Sequence, residues 1–357
     1  MCKDEALRPA PLLFPKAEKY FDRPFQGIAS LAGTREHDFL CFYAGGVTEG
    51  GENYVLYFRS PKGQDRFAPF LAIDPPGQVR AYDSVPWVDD QGRLWLFWAQ
   101  SYTWFDGRCG VFCACSEDPD APQPHFSVPR RIGDGIMMNK PTVLQNGTWL
   151  LPIGLWACET SPLNQLPEPE HRSFVYASRD RGKSFQRLGG ADVPNRCFDE
   201  HLVIERRDGS LWMLVRRFDG IGESFSYDGG LSWTPGQKSR LPGVNSRFFV
   251  RRLADGSLLQ VNHVDTDRRS HLTALLSLDD GKTWPYRLLL DERDDISYPD
   301  GYQDAGGVLH IVHDRGRTGC REILLSSFTV EDIRRGRAED PSRLCRVVIR
   351  GNQALWP

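Results

Sequence analysis

Apolar residues along this chain come in short runs closed by turn-forming clusters, not in long stripes. LWMLVRR (211–217) precedes Asp228, and LTALLS (272–277) precedes Asp279; both read as strands. DGSLW (208–212) and DGSLL (255–259) add turn-to-strand signals. The helical signal is confined to VEDIRRG, 330–336. An octet punctuates the strand pattern. Ser178–Phe185, Ser226–Trp233 and Ser277–Trp284 all read Ser-x-Asp-x-Gly-x-[Ser/Thr]-aromatic, so the repeat is about fifty residues. Degraded copies begin at Ser60 and Ser116 and end on Phe67 and Phe126. In each octet Asp is suited to accept backbone N–H bonds across a hairpin turn, Gly to supply positive φ, and the aromatic to plug the turn. Four short strands per unit of about fifty residues describe a propeller blade, and six such units fill the chain.

Composition narrows the class. The 357 residues include 34 Gly and 25 Pro, above the usual share, as many tight turns require. Net charge is −3, with no long Lys/Arg run, which argues against nucleic acid or an anionic membrane surface as a partner. No apolar run approaches the ~20 residues of a membrane span, and the first residues carry no leader-like apolar stretch. The expected location is the cytoplasm, or a secreted or periplasmic one if a leader has been removed. Nine irregularly spaced cysteines do not form a disulfide framework, and Cys113-Ala-Cys115 is not a zinc spacing. His310 and His313, three apart on a strand, point to opposite faces. No metal or cofactor is expected.

The octet resembles the Asp-box of sialidases and their relatives. The resemblance implies an all-β, six-bladed β-propeller over residues 21–357, after an N-terminal extension of residues 1–20. SYPDGYQDAGGVLHIVHDRG resembles the stretch that carries the sialidase nucleophile, which places it at Tyr298. A phenol with pKa near 10 needs a neighbouring base, and a neutral tyrosine avoids the repulsion that a carboxylate nucleophile would meet beside an acidic sugar. The resemblance makes Glu200 that base. Arg216 and Arg269 match the arginines that grip the substrate carboxylate, with Arg217 and Arg268 one residue out of register, and Arg247 is a further mouth candidate. The acid falls on Glu49 or Glu52 in GGVTEGGENYVLYFRS, or on Asp83 beside Arg80. Asp199 and His201 flank Glu200 and, on a strand, would point away from it. Where sialidases carry Arg-Ile-Pro, this chain has Gln26-Gly27-Ile28, with Arg23 slightly upstream. Trp98, Trp104 and Trp156 are candidate sugar platforms that fit strand packing better, and Asn139-Lys140 opens a unit near the mouth.

The expected function is an exo-acting, sialidase-like glycoside hydrolase that removes a terminal, acidic sugar from glycans by a retaining Tyr/Glu mechanism. Two other readings stand beside it. One is a lyase on a uronic-acid glycan using Tyr298 with His201 or His271. The other is a non-catalytic carbohydrate-binding propeller.

Overall fold

The computed structural model describes residues 5–13, 20, 23–102, 108–156 and 171–351, so Trp104 lies outside the described residues. The strands form six antiparallel sheets in chain order. Their inner strands are Gln26–Gly33, Arg80–Val88, Thr142–Val143, Leu202–Glu205, Phe249–Arg252 and Ile296–Gln303. We number the blades 1 to 6 accordingly. Blades 2 to 6 have four strands each, and Leu12–Leu13 adds a fifth to the outer edge of blade 1, against Ala68–Ile73. A short helix, Val330–Arg335, carries a capping box at Thr329 and ends at Gly336, where the sequence places its one helical signal. Among the described residues, no helix is long and apolar enough to cross a membrane.

The blades are apolar on both faces because each is sandwiched between two others. In His37–Ala44, Phe39, Cys41 and Tyr43 pack toward blade 2, while Leu40, Phe42 and Ala44 pack toward blade 6. Buried apolar residues fall into six clusters, one in each seam between blades. Alternation along a strand therefore sorts side chains between two seams rather than between core and water, which is why the runs read as continuously apolar. The ring closes through side chains of blade 1. Gln26 Nε2 donates to the Arg321 carbonyl at 2.8 Å, and Arg23 Nη2 to that of Arg350 at 2.8 Å.

The octets form turns held by their Asp and Ser. In the first, Ser178 Oγ donates to Asp180 Oδ1 at 2.9 Å and accepts from Gly182 N at 2.8 Å. Ser184 N also donates to Asp180 Oδ1, at 2.9 Å. The second and third octets repeat these bonds around Asp228 and Asp279. The degraded copy at 116 keeps the first of them, Ser116 Oγ to Asp118 Oδ1 at 3.0 Å. Two of the glycines also rest on a tryptophan of the preceding blade. A Cβ on Gly182 would stand 2.4 Å from Trp95, and one on Gly281 2.6 Å from Trp212. Both have positive φ, 84° and 87°. Gly182→Ala and Gly281→Ala are each expected to cost about 2 kcal/mol, from the left-handed backbone and the clash together. Urea unfolding of the two variants checks this; midpoints equal to the parent protein's would contradict it.

Candidate active site

A pocket of about 240 Å³ opens at the end of the axis where the inner strands begin. A local device aims side chains into it. The inner strands of blades 1, 2 and 6 each slip register near their start, at Gly27/Ser30, Tyr82/Val85 and Ser297/Asp300. At each bulge one non-glycine residue is left-handed: Ile28 (φ 56°), Asp83 (48°) and Tyr298 (58°). Such a residue costs on the order of 1–3 kcal/mol and persists only where the surroundings over-determine it. Here Asp83 and Tyr298 are turned into the pocket, and Ile28 into the seam between blades 1 and 2. Blade 4 uses another left-handed turn, at Phe198, Asp199 and Glu200 (φ 56°, 50° and 44°). Glu200 therefore sits on a turn before its strand, not on the strand that sequence reading assumes. Asn139 Nδ2 fixes that turn by donating to the Glu200 and His201 carbonyls at 2.8 and 3.0 Å.

At the floor, Tyr298 Oη donates to Glu200 Oε1 at 2.5 Å. Arg216 Nη1 donates to the same carboxylate oxygen at 2.6 Å and to Tyr298 Oη at 2.8 Å. All three residues are buried, and Glu200 Oε2 has no hydrogen-bond partner among the described residues. Burial pushes the Tyr298 phenol well above its ordinary value and the Glu200 charge adds to this, while Arg216 and Arg317 oppose it. The phenol is therefore neutral at rest. Burial pulls the Arg216 guanidinium down, but the charge of Glu200 and its hydrogen bond outweigh it and hold the cation firmly.

More cations stand around this dyad. The Arg269 and Arg317 guanidinium carbons lie 5.5 and 4.2 Å from the Tyr298 ring centre. Arg269 hydrogen-bonds only the Asn245 carbonyl among the described residues, so most of its donors remain open. Arg80 stacks on Tyr82 at 3.9 Å and donates to the Glu49 carbonyl at 2.7 Å. Glu49 points into the pocket, accepting from Tyr43 Oη at 3.0 Å and Arg317 Nη1 at 3.1 Å. Trp156 lines the wall.

The Asp83 carboxyl also lines the pocket and has no hydrogen-bond partner among the described residues; its Oδ1 is fully buried. Burial raises its pKa to about 8, with Arg80 opposing and the Glu49 and Glu200 charges adding. The unfolded chain releases this proton near pH 4, but the folded protein keeps it until about pH 8. The folded state thus binds the extra proton, and stability falls as pH rises through that window. Asp83→Asn removes the effect, so its melting temperature is expected to gain on the parent protein between pH 5 and pH 8. The gain corresponds to as much as several kcal/mol. A difference that does not change with pH would contradict this.

The other sequence candidates lie elsewhere. Glu52 is exposed and does not line the pocket, although its φ of 48° is left-handed. Arg247 is buried beneath the floor, where it donates to the carbonyls of Met138, Ala29, Tyr298 and Pro299. It supports Tyr298 from below and is not a mouth residue. His201 is buried with Nε2 2.6 Å from the Phe174 carbonyl, and burial lowers its pKa to about 4. His271 is exposed. Arg23 is fully buried in the blade closure, Arg217 pairs with Asp219, and Arg268 is exposed. Trp98 packs in the core. Lys140 pairs with buried Asp300 in the central channel. The residue that sequence reading misses is Arg317, which lies in the turn after Leu309–Arg315. Its only signal there, Gly-Arg-Thr-Gly, reads as a turn.

Fold and pocket together define a six-bladed propeller of the sialidase-like type. The chain belongs to the BNR repeat-like domain family, whose pattern it matches over residues 37–311. No curated protein matches it. Solved structures share the fold. A Hadza microbial sialidase superposes with a TM-score of 0.69 at 19% identity, over 87% of this chain; the chain spans 66% of that protein, just under two thirds. A protein of unknown function from Dyadobacter fermentans gives 0.68 at 16% identity, covering 90% of this chain and 98% of its own. The NanB sialidase of Streptococcus pneumoniae gives 0.68 at 10% identity, covering 91% and 71%.

Proposed function

We propose that the protein is an exo-acting glycoside hydrolase that releases a terminal acidic sugar from a glycan with retention of configuration. The observation that carries this reading is the buried Tyr298–Glu200 hydrogen bond of 2.5 Å, bridged by Arg216 on the pocket floor. Glu49 first takes a proton from solvent; Glu200 then takes the phenolic proton as Tyr298 Oη attacks the anomeric carbon, and Glu49 protonates the departing glycosidic oxygen. Glu49 then takes a proton from water, whose oxygen displaces Tyr298; the phenolate recovers its proton from Glu200. Arg216 Nη1 lies beside both the Glu200 carboxylate and the phenolate oxygen that develops in attack and departure; in the glycosyl-tyrosine intermediate between them Glu200 and Tyr298 are neutral and the negative charge rests on Glu49. Arg216, Arg269 and Arg317 supply the positive field that an acidic sugar requires. Asp83, still protonated near neutrality, offers a sugar hydroxyl a donor. No step calls for a cofactor.

The lyase reading is less well supported, because neither His201 nor His271 lines the pocket. The test is fluorophore release from a methylumbelliferyl sialoside, beside the matching glucuronide and galactoside. Turnover confined to acidic sugars is the expected result. Turnover of the galactoside alone, or an ultraviolet-absorbing product from a uronate polymer, would overturn the reading.

A further inference from the structure

Arg317 already carries a ligand, and the ligand is the protein's own acid. Its Nε donates to Asp314 Oδ2 and its Nη2 to Ser297 Oγ, both at 3.1 Å. Asp314 is itself fully buried and held by Ile28 N and Ser297 Oγ at 2.7 Å each. Two of the three guanidinium nitrogens are thus tied to the framework. The third, Nη1, donates to Glu49 Oε2 at 3.1 Å. Glu49 is the less fixed partner. It lies in the loop between His37–Ala44 and Tyr54–Pro61, and its side chain is 31% exposed, against 13% for Arg317.

The path of Arg317 depends on blade 1. A Cβ on Gly27 would stand 2.7 Å from Arg317 Cγ and 2.9 Å from Cδ. A larger residue at 27 would push the side chain off its course above Tyr298. Glycine is needed there for close approach, not for backbone freedom.

We infer that Glu49 is an internal stand-in for the substrate's anionic group. The sugar's acid exchanges with Glu49 on Arg317 Nη1, and the released Glu49 carboxylate takes a proton from solvent and turns toward the leaving oxygen. The pocket then selects anionic sugars by competition, since a neutral ring brings no charge to displace Glu49. The exchange concerns the same site as the proposed hydrolysis, and the role of the released Glu49 rests on that reading.

Calorimetric titration tests it with N-acetylneuraminic acid and glucuronic acid as probes and galactose as the neutral comparison. The parent protein is set beside Glu49→Gln, Glu49→Ala, Arg317→Ala and Gly27→Ala, each checked for folding by circular dichroism. Both Glu49 variants are expected to bind at least one acid about fivefold more tightly, the scale of one part-exposed ion pair. That gain should appear even though their turnover is lost. Arg317→Ala should bind more than about tenfold more weakly, the scale of a charge-assisted hydrogen bond. Gly27→Ala should weaken binding in the same direction, and galactose should not distinguish the variants. Unchanged or weaker acid binding by folded Glu49 variants overturns the exchange, as does failure of every variant to bind either acid. Tighter binding in a protein without hydrolytic turnover would sink the hydrolase reading and leave the exchange standing.

Discussion

Tyr298→Phe is expected to lower kcat on the order of 10⁴-fold while leaving KM within a few-fold, as loss of a nucleophile does. The change removes one buried oxygen and nothing else from the floor. Glu200 keeps Arg216 as its partner, so the charge at the base of the pocket remains compensated. The stability cost should be about 1 kcal/mol, the scale of one neutral hydrogen bond. That small cost separates a chemical role from a structural one. If Tyr298 were only a packed core residue, the phenylalanine variant would retain turnover within about tenfold of the parent protein. Steady-state kinetics on an aryl glycoside of an acidic sugar, with melting curves alongside, reads both effects.

Arg216→Met is expected to give the largest loss of stability in the pocket, about 3–5 kcal/mol. Its guanidinium is the only cation hydrogen-bonded to Glu200 among the described residues, and both side chains are almost fully buried. Removing it strands a carboxylate whose other oxygen has no partner among the described residues. Glu200→Gln in the same background should recover much of the loss, because the stranded charge is gone. A double-mutant cycle by urea unfolding measures this coupling. Additive losses would mean that the two residues do not form the unit described here. Activity should fall in both single variants, since Arg216 Nη1 also touches the phenol that the proposed mechanism makes the nucleophile.

The architecture was legible because its punctuation is chemical. Asp and Gly in the octets make the turns, and the alternating apolar runs make the strands. The dyad was legible through its resemblance to a known tyrosine stretch and the spacing between Glu200 and Arg216. What the sequence hid was backbone conformation and closure. Ile28, Asp83 and Tyr298 adopt left-handed bulges without being glycine, so nothing in the letters marks them. Glu49 and Glu52 share one Gly-rich loop, and only the turn geometry decides which points inward. Arg247 follows a strand pattern like a mouth residue, but four backbone carbonyls hold it under the floor. Arg317 was unreadable for another reason: its place depends on Gly27, at the opposite end of the chain, where the ring closes.

The most direct test of the central claim is to trap the covalent intermediate. The protein is incubated with a fluorinated glycosyl fluoride of an acidic sugar, whose fluorine slows the second step, and its peptides are then weighed. The account predicts one glycosyl increment on the peptide that carries Tyr298, lost in Tyr298→Phe. An increment on Glu200 or Glu49, or no increment on a protein that consumes the reagent, would contradict it.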